Sequence, residues 1–161
     1  MAQVDYATPI GRLVITGDEK AVHSVLFEDG DELQHPYSET LPQELKLAFQ
    51  EIKDYFEGKG KDFTFQMEPQ TGTPFQREVW QSLSAIPYGE TGSYLQIATS
   101  INRPKAVRAV GGANGRNPFT VVLPCHRIIG SSGKMVGYTG GLWRKEWLLA
   151  HEQKFKTTLA D

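Results

Sequence analysis

The sequence predicts an α/β N-terminal domain over residues 1–72 followed by a mainly helical domain over residues 73–161. Three observations predict this. Residues 12–16 and 21–27 are β-branched, apolar runs separated by turn formers, the pattern of a hairpin. Beyond residue 72 the pattern becomes a series of short segments of helical period, two of them opened by capping boxes. The charge changes sign at the same place: residues 1–72 carry 6 Lys and Arg against 14 Asp and Glu, and residues 73–161 carry 11 against 5.

Each element follows from its residues. Leu13, Val14 and Ile15 make the first strand of the hairpin, with Pro9, Ile10 and Gly11 as the turn before it; Val22, Val25, Leu26 and Phe27 make the second. Residues 28–39 are polar and acidic and read as a loop. Leu41, Leu45, Leu47, Ala48, Ile52, Tyr55 and Phe56 have helical spacing, stopped by Gly58 and Gly60. Phe63, Phe65 and Met67 alternate with polar residues, which predicts another strand, and residues 69–73 form the linker.

Thr73 caps the next helix, with Pro74 at its first position, Gln76 completing the capping box, and Phe75, Val79, Trp80 and Leu83 on the apolar stripe. Residues 87–92 break it. Ser93 and Gln96 cap a short helix using Tyr94, Leu95, Ile97, Ala98 and Ile101. Asn102 and Arg103 turn the chain, Pro104 begins a third helix with Ala106, Val107, Val110 and Ala113 on its apolar face, and the glycines at 111, 112 and 115 end it. Two short helices joined by a tight turn, the second basic, form a helix-turn-helix candidate. Residues 119–123 are apolar, glycines space the loop that follows, and residues 142–152 read as a last helix using Trp143, Trp147, Leu148 and Ala150.

Composition excludes several classes. Hydrophobic residues make up 39% and charged residues 22%, a globular balance. No apolar run reaches transmembrane length, and the first residues lack a signal-peptide pattern, so no membrane partner is expected. A single cysteine excludes an internal disulfide and a multi-cysteine zinc site, and the expected compartment is reducing: cytoplasmic, or nuclear in a eukaryotic source. Between Arg103 and Lys145 there are eight basic residues and no acidic one, which suggests that the second half faces a polyanion.

The chemistry concentrates on Cys125. A lone cysteine is commonly a small buried hydrophobe. Here Pro124 fixes the backbone before it, and His126 and Arg127 could favour a thiolate. A nucleophilic thiol needs a proton acceptor, for which His126 and His151 are available; Glu152 could orient an imidazole or simply be a solvated helix residue. His23, His35, His126 and His151 lack metal-ligand spacing, and the glycines at 111–115 fit no nucleotide fingerprint.

The segment Pro124-Cys125-His126-Arg127-Ile128-Ile129-Gly130 resembles the signature of the methylated-DNA–protein-cysteine methyltransferases, also called O6-alkylguanine-DNA alkyltransferases. The resemblance extends through Phe75-Gln76-Arg77-Glu78-Val79-Trp80, Ile86-Pro87-Tyr88-Gly89-Glu90-Thr91, Arg108-Ala109-Val110-Gly111, Asn117-Pro118, Gly137-Tyr138-Thr139-Gly140-Gly141 and Lys145-Glu146-Trp147-Leu148-Leu149. It implies a ribonuclease-H-like sheet in the first domain and a winged-helix-like helix-turn-helix in the second. It implies irreversible, stoichiometric transfer of an alkyl group from O6-alkylguanine in double-stranded DNA to Cys125, with O4-alkylthymine as a second candidate substrate. The expected protein is a single-turnover, monomeric DNA repair enzyme without a cofactor. Some relatives hold zinc through cysteine and histidine in the first domain; residues 1–72 contain no cysteine, so that site is not expected.

The resemblance also assigns residues. Cys125 is the nucleophile, His126 takes its proton through a water, and Glu152 holds the histidine. Asn117 orders the site and Tyr94 serves the guanine ring. Arg108 enters the duplex and fills the place of the flipped nucleotide, while Ala109 and Gly111 allow close approach to the minor groove, and Arg103, Lys105 and Tyr94 complete the DNA-binding set. Pro124, Tyr138, Thr139 and Gly140 line the alkyl pocket. Two departures are visible: Val107 is larger than the alanine of some relatives, and Asn102 replaces a frequent glycine. Three other readings compete: a non-catalytic alkyl-lesion sensor of the same fold, which would lack the acceptor cysteine, a winged-helix regulator, and a cysteine hydrolase.

Overall fold

The computed structural model describes residues 1–130, 138 and 140–159. They form two compact units: residues 1–70 with Pro118–Val122, and Thr71–Asn117 with the chain from Leu123 onward.

The first unit is a three-stranded antiparallel sheet, β1 (Ala2–Thr8), β2 (Gly11–Gly17) and β3 (Val22–Glu28), in sequential order, with helix α1 (Gln43–Phe56) packed on it. The expected hairpin is β2–β3, and β1 is an additional strand ahead of it. Val4 pairs with Ile15 and Tyr6 with Leu13 across the β1–β2 ladder. Asp5 interrupts the apolar alternation of β1, yet it is buried: it accepts from Arg12 Nη1 at 2.9 Å and from the backbone N–H groups of Gln34 and His35. That pairing is why a carboxylate can occupy a strand interior, and it ties the acidic loop to the sheet. Leu45, Ala48 and Ile52 form the fully buried face of α1. The helix ends in a Schellman motif on Gly58 (φ 76°), with Lys59 N–H donating to the Asp54 carbonyl at 2.8 Å.

The alternation Phe63, Phe65, Met67 does not produce a full strand. The N–H groups of Thr64 and Gln66 donate to the side chains of Glu51 and Glu44 on α1, each at 2.7 Å, and these take the place of a strand partner; only Met67 forms a bridge, to Val22. Phe119 forms a bridge to Val25, through which Pro118–Val122 joins this unit.

The second unit contains α2 (Pro74–Leu83), α3 (Tyr94–Ser100), α4 (Val107–Asn114), a 3₁₀ turn (Cys125–Arg127) and α5 (Leu142–Phe155). Both expected capping boxes form, Thr73 with Gln76 and Ser93 with Gln96. Helices α2, α3 and α4 pack together, and Trp80 Nε1 donates to the Ala113 carbonyl at 2.8 Å. Asn102 adopts φ 61° and closes α3 in a Schellman turn, with Arg103 N–H donating to the Ala98 carbonyl at 2.8 Å.

Two expected boundaries differ. Pro104 lies inside a turn closed by Ala106 N–H on the Arg103 carbonyl at 2.9 Å, so α4 starts at Val107 and not at the proline. Gly111 and Gly112 lie within α4, which continues because Val110 and Ala113 are buried on either side of them. In α5 the buried face is Lys145, Leu148, His151 and Glu152, whereas Trp143 and Ala150 are exposed. A buried charged stripe is stable only where its charges are paired, and the site below supplies the partners.

Candidate active site

Cys125 heads the 3₁₀ turn, and the residue before it shapes the backbone. Pro124 (φ −79°, ψ 61°) is the centre of an inverse γ-turn in which Cys125 N–H donates to the Leu123 carbonyl at 2.7 Å. The turn is anchored at its far end where Gly92 N–H donates to the Arg127 carbonyl at 2.8 Å and Ile129 N–H to the Gly92 carbonyl at 2.9 Å. Cys125, His126 and Arg127 are all buried.

Glu152, on α5, gathers the polar groups of this turn. Its Oε2 is 2.7 Å from His126 Nε2. Arg127 donates to both carboxylate oxygens, from Nε at 2.8 Å and from Nη2 at 3.0 Å, and Gly89 N–H donates to Oε1 at 3.1 Å. The remaining Arg127 nitrogen donates to the Ile86 carbonyl at 2.7 Å. Burial alone would raise the Glu152 pKa, but hydrogen bonds from His126 and Arg127 hold it far below the usual carboxylate range. For His126 burial dominates and lowers the pKa, with Glu152 opposing. The imidazole is therefore neutral near pH 7. With a carboxylate accepting at Nε2, the proton sits there and Nδ1 carries the lone pair. That Nδ1 is buried and has no hydrogen-bond partner among the described residues.

The surroundings of the thiol differ from the expectation that Arg127 and His126 would polarise it. Arg127 is neutralised by Glu152, and His126 is uncharged. The positive group acting on the thiol is Lys145, fully buried on α5, whose Nζ donates to the Ile128 carbonyl. Burial lowers the Lys145 pKa and raises that of Cys125; Asn117, Lys145 and Tyr138 act on the thiol in the opposite sense. Asn117 also donates from Nδ2 to the Leu123 carbonyl at 2.9 Å, holding the backbone just before Pro124. Lys145 was not singled out from sequence. Its signal is its spacing: Lys145, Leu148 and Glu152 stand at i, i+3 and i+7 on one helix face.

The other expected residues fall into two groups. Tyr138 lies beside the thiol and Gly140 against Tyr138: a Cβ built at Gly140 would stand 2.9 Å from the Tyr138 ring, so glycine is needed for that approach. Pro124 is adjacent, and Thr139 lies outside the described residues. Tyr94 is half-buried at the start of α3, close enough to Cys125 for the thiol to affect its pKa. Arg103, Lys105, Arg108 and Ala109 are exposed, and Gly111 is half-buried. Arg103 is partly engaged, 4.0 Å from Glu78 and over the Phe75 ring.

A thiol at the head of a buried turn, followed in the chain by an imidazole anchored on a carboxylate, in a unit that also carries short helices with exposed basic residues, defines a cysteine-centred class of site. Two family models match the chain: 6-O-methylguanine DNA methyltransferase, ribonuclease-like domain, over residues 5–69, and 6-O-methylguanine DNA methyltransferase, DNA binding domain, over residues 74–154. The methylated-DNA–protein-cysteine methyltransferase of Methanosarcina barkeri is 42% identical over 91% of this chain and 93% of its own length. The protein of the same name from Shigella flexneri is 40% identical over 91% and 92%. The Mycobacterium tuberculosis OGT crystallised in complex with DNA superposes with a TM-score of 0.84 at 38% identity, covering 96% of this chain and 94% of that one. This chain belongs to the O6-methylguanine DNA methyltransferase family, the methylated-DNA–protein-cysteine methyltransferases.

Proposed function

We propose that the protein repairs alkylated DNA by moving the alkyl group from O6 of guanine in a duplex onto Cys125, once per molecule. The observation that carries this reading is the placement of His126, next in the chain to Cys125: Glu152 anchors its Nε2 at 2.7 Å, and its buried Nδ1 has no hydrogen-bond partner among the described residues, which leaves it to accept a proton. Relatives named for the same transfer, and a similar structure crystallised with DNA, support it.

The chemistry balances at named atoms. The Cys125 thiol gives its proton to His126 Nδ1 through one water molecule, and Glu152 stabilises the imidazolium that forms. The thiolate attacks the alkyl carbon, the C–S bond forms, and the C–O bond breaks with its electron pair passing to the guanine. Tyr94 supplies a hydrogen bond to the leaving base, which takes up a proton at N1 from water while the imidazolium returns the thiol proton to solvent, and Asn117 and Lys145 stabilise the sulfur anion. The thioether has no thiolate to regenerate, which makes the reaction stoichiometric. O4-alkylthymine presents the same kind of electrophilic carbon and is a second substrate of this reading.

A guanine stacked in a duplex cannot bring O6 to a buried sulfur, so the nucleotide flips. Arg108, exposed on α4, fills the gap, with Ala109 and Gly111 giving close approach to the minor groove and Arg103 and Lys105 meeting phosphates. Pro124, Tyr138, Thr139 and Gly140 bound the alkyl group. In this reading residues 1–72 are the ribonuclease-H-like domain, residues 73–161 the winged-helix-like DNA-binding and transfer domain, and the protein acts as a cytoplasmic monomer without a cofactor. Among the described residues no helix is long and apolar enough to cross a membrane.

The test uses a duplex carrying a labelled methyl on guanine O6. The wild type takes up label to one methyl per chain and then stops. Cys125→Ser takes up none yet still binds the duplex. Continued turnover, or label on Cys125→Ser at the wild-type rate, overturns the reading.

A further inference from the structure

We infer that Asn114 is a positioning residue for Tyr94: its side-chain amide donates to the tyrosine hydroxyl and so directs the hydroxyl proton toward the departing base. The inference rests on the alkyl-transfer reading above.

Tyr94 lies across α4. A Cβ built at Gly111 would stand 3.8 Å from Cζ of Tyr94, the ring carbon that carries the hydroxyl. Asn114 is three residues further along the same helix, on the same face, and is 5% exposed. Burial raises the Tyr94 pKa, and the Asn114 side chain acts in the opposite sense, as an N–H donor to the phenol oxygen does.

The other end of the amide is informative. Asn114 Oδ1 is buried and has no hydrogen-bond partner among the described residues. An unpaired buried acceptor is costly, so packing alone favours an apolar side chain here, as at neighbouring Val110 and Ala113. What the amide contributes is therefore its NH₂ group, which can only donate. A hydroxyl oxygen that already accepts an N–H keeps its own O–H for a different acceptor. In the transfer reaction that acceptor is the guanine, on which negative charge grows as the C–O bond breaks. Asn114 thus selects one of the two senses in which Tyr94 can hydrogen-bond.

The experiment is a double-mutant cycle on single-turnover rates with an O6-methylguanine duplex, at saturating DNA, for wild type, Asn114→Leu, Tyr94→Phe and the double variant. Both single variants slow transfer by roughly ten-fold, the loss of one hydrogen bond to a developing charge, while the DNA concentration giving half the maximal rate stays the same. The double variant is no slower than Tyr94→Phe. Asn114→Asp, of native size but an acceptor when ionised, draws the hydroxyl proton to itself and is as slow as Asn114→Leu, so the conclusion does not hang on one substitution. A wild-type rate in both Asn114 variants overturns the inference, as does full additivity of the Asn114 and Tyr94 losses. Failure of the underlying reading looks different: the wild type itself then leaves Cys125 unmethylated.

Discussion

Glu152 Oε2 lies 2.7 Å from His126 Nε2, and neither side chain has any solvent exposure. The same carboxylate also receives Arg127 on both oxygens, so one residue of α5 fixes the tautomer of the base and neutralises the cation beside it. Stability and chemistry are thereby joined at one side chain, and they can be separated experimentally.

Glu152→Gln leaves the Arg127 guanidinium buried without a counter-charge. Removing one partner of a buried pair costs about 3–5 kcal/mol, so the melting temperature falls and alkyl transfer is lost. Adding Arg127→Leu removes the unpaired charge and recovers much of the stability, but His126 stays unanchored and transfer does not return. Thermal melts and single-turnover rates on both variants check this. Recovery of the rate together with stability would show that Glu152 serves the fold and not the histidine.

Arg108→Ala separates access from chemistry. Free O6-benzylguanine needs no extraction from a stack, whereas a duplex lesion requires unpairing and unstacking, about a few kcal/mol. The variant therefore repairs duplex much more slowly than wild type and reacts with the free base at nearly the same rate. His126→Ala loses both. The comparison is of single-turnover rates on the two substrates, and equal losses for Arg108→Ala would place Arg108 outside base flipping.

The first unit carries its own pH dependence. His23 Nε2 is 2.9 Å from Asp18 Oδ2 and its Nδ1 is 2.6 Å from the Glu68 carbonyl, so both nitrogens face acceptors, which favours the imidazolium form. The Asp18 hydrogen bond, with the Glu68 carbonyl, raises the His23 pKa above its ordinary 6.5, and the His23 hydrogen bond lowers that of Asp18 to about 2. A raised folded-state pKa adds stability that is complete below about 6.5 and fades as pH rises through the folded value. The Asp18 contribution is complete above its ordinary 3.8 and fades as pH falls toward about 2. Melting temperatures between pH 6 and pH 9 therefore fall more steeply for wild type than for His23→Gln. Parallel curves would remove His23 from the pH response.

What could be read from the sequence was what is coded locally. The boxes Thr73–Gln76 and Ser93–Gln96 close within four residues, and both formed as written. The turn at Asn102 and Arg103 is likewise local, and Asn102 closes it with φ 61°. Strand β1 is hidden because Asp5 breaks its alternation, and its partners, Arg12 from the next strand and the backbone N–H groups of Gln34 and His35, make a carboxylate tolerable there. The expected strand through Phe63 and Phe65 was misread because acidic side chains of α1 occupy the backbone donors that a strand would have used. At the site, Cys125 and His126 announce themselves as neighbours, but Glu152 is 26 residues from His126, where the residues alone leave it open between orienting an imidazole and facing solvent. Lys145 and Asn114 look like surface and cap residues in the sequence. Both are buried, which no local pattern of charge or amide residues encodes.

Acceptance of the alkyl group by Cys125 is read from the intact mass of the wild-type protein after incubation with an O6-methylguanine duplex, followed by peptide mapping. The expected result is a gain of one methyl group in place of one hydrogen, confined to the peptide containing Cys125, with the guanine restored in an uncut strand. An unchanged protein mass with a demethylated duplex, or a methyl group mapped to any residue other than Cys125, would contradict it.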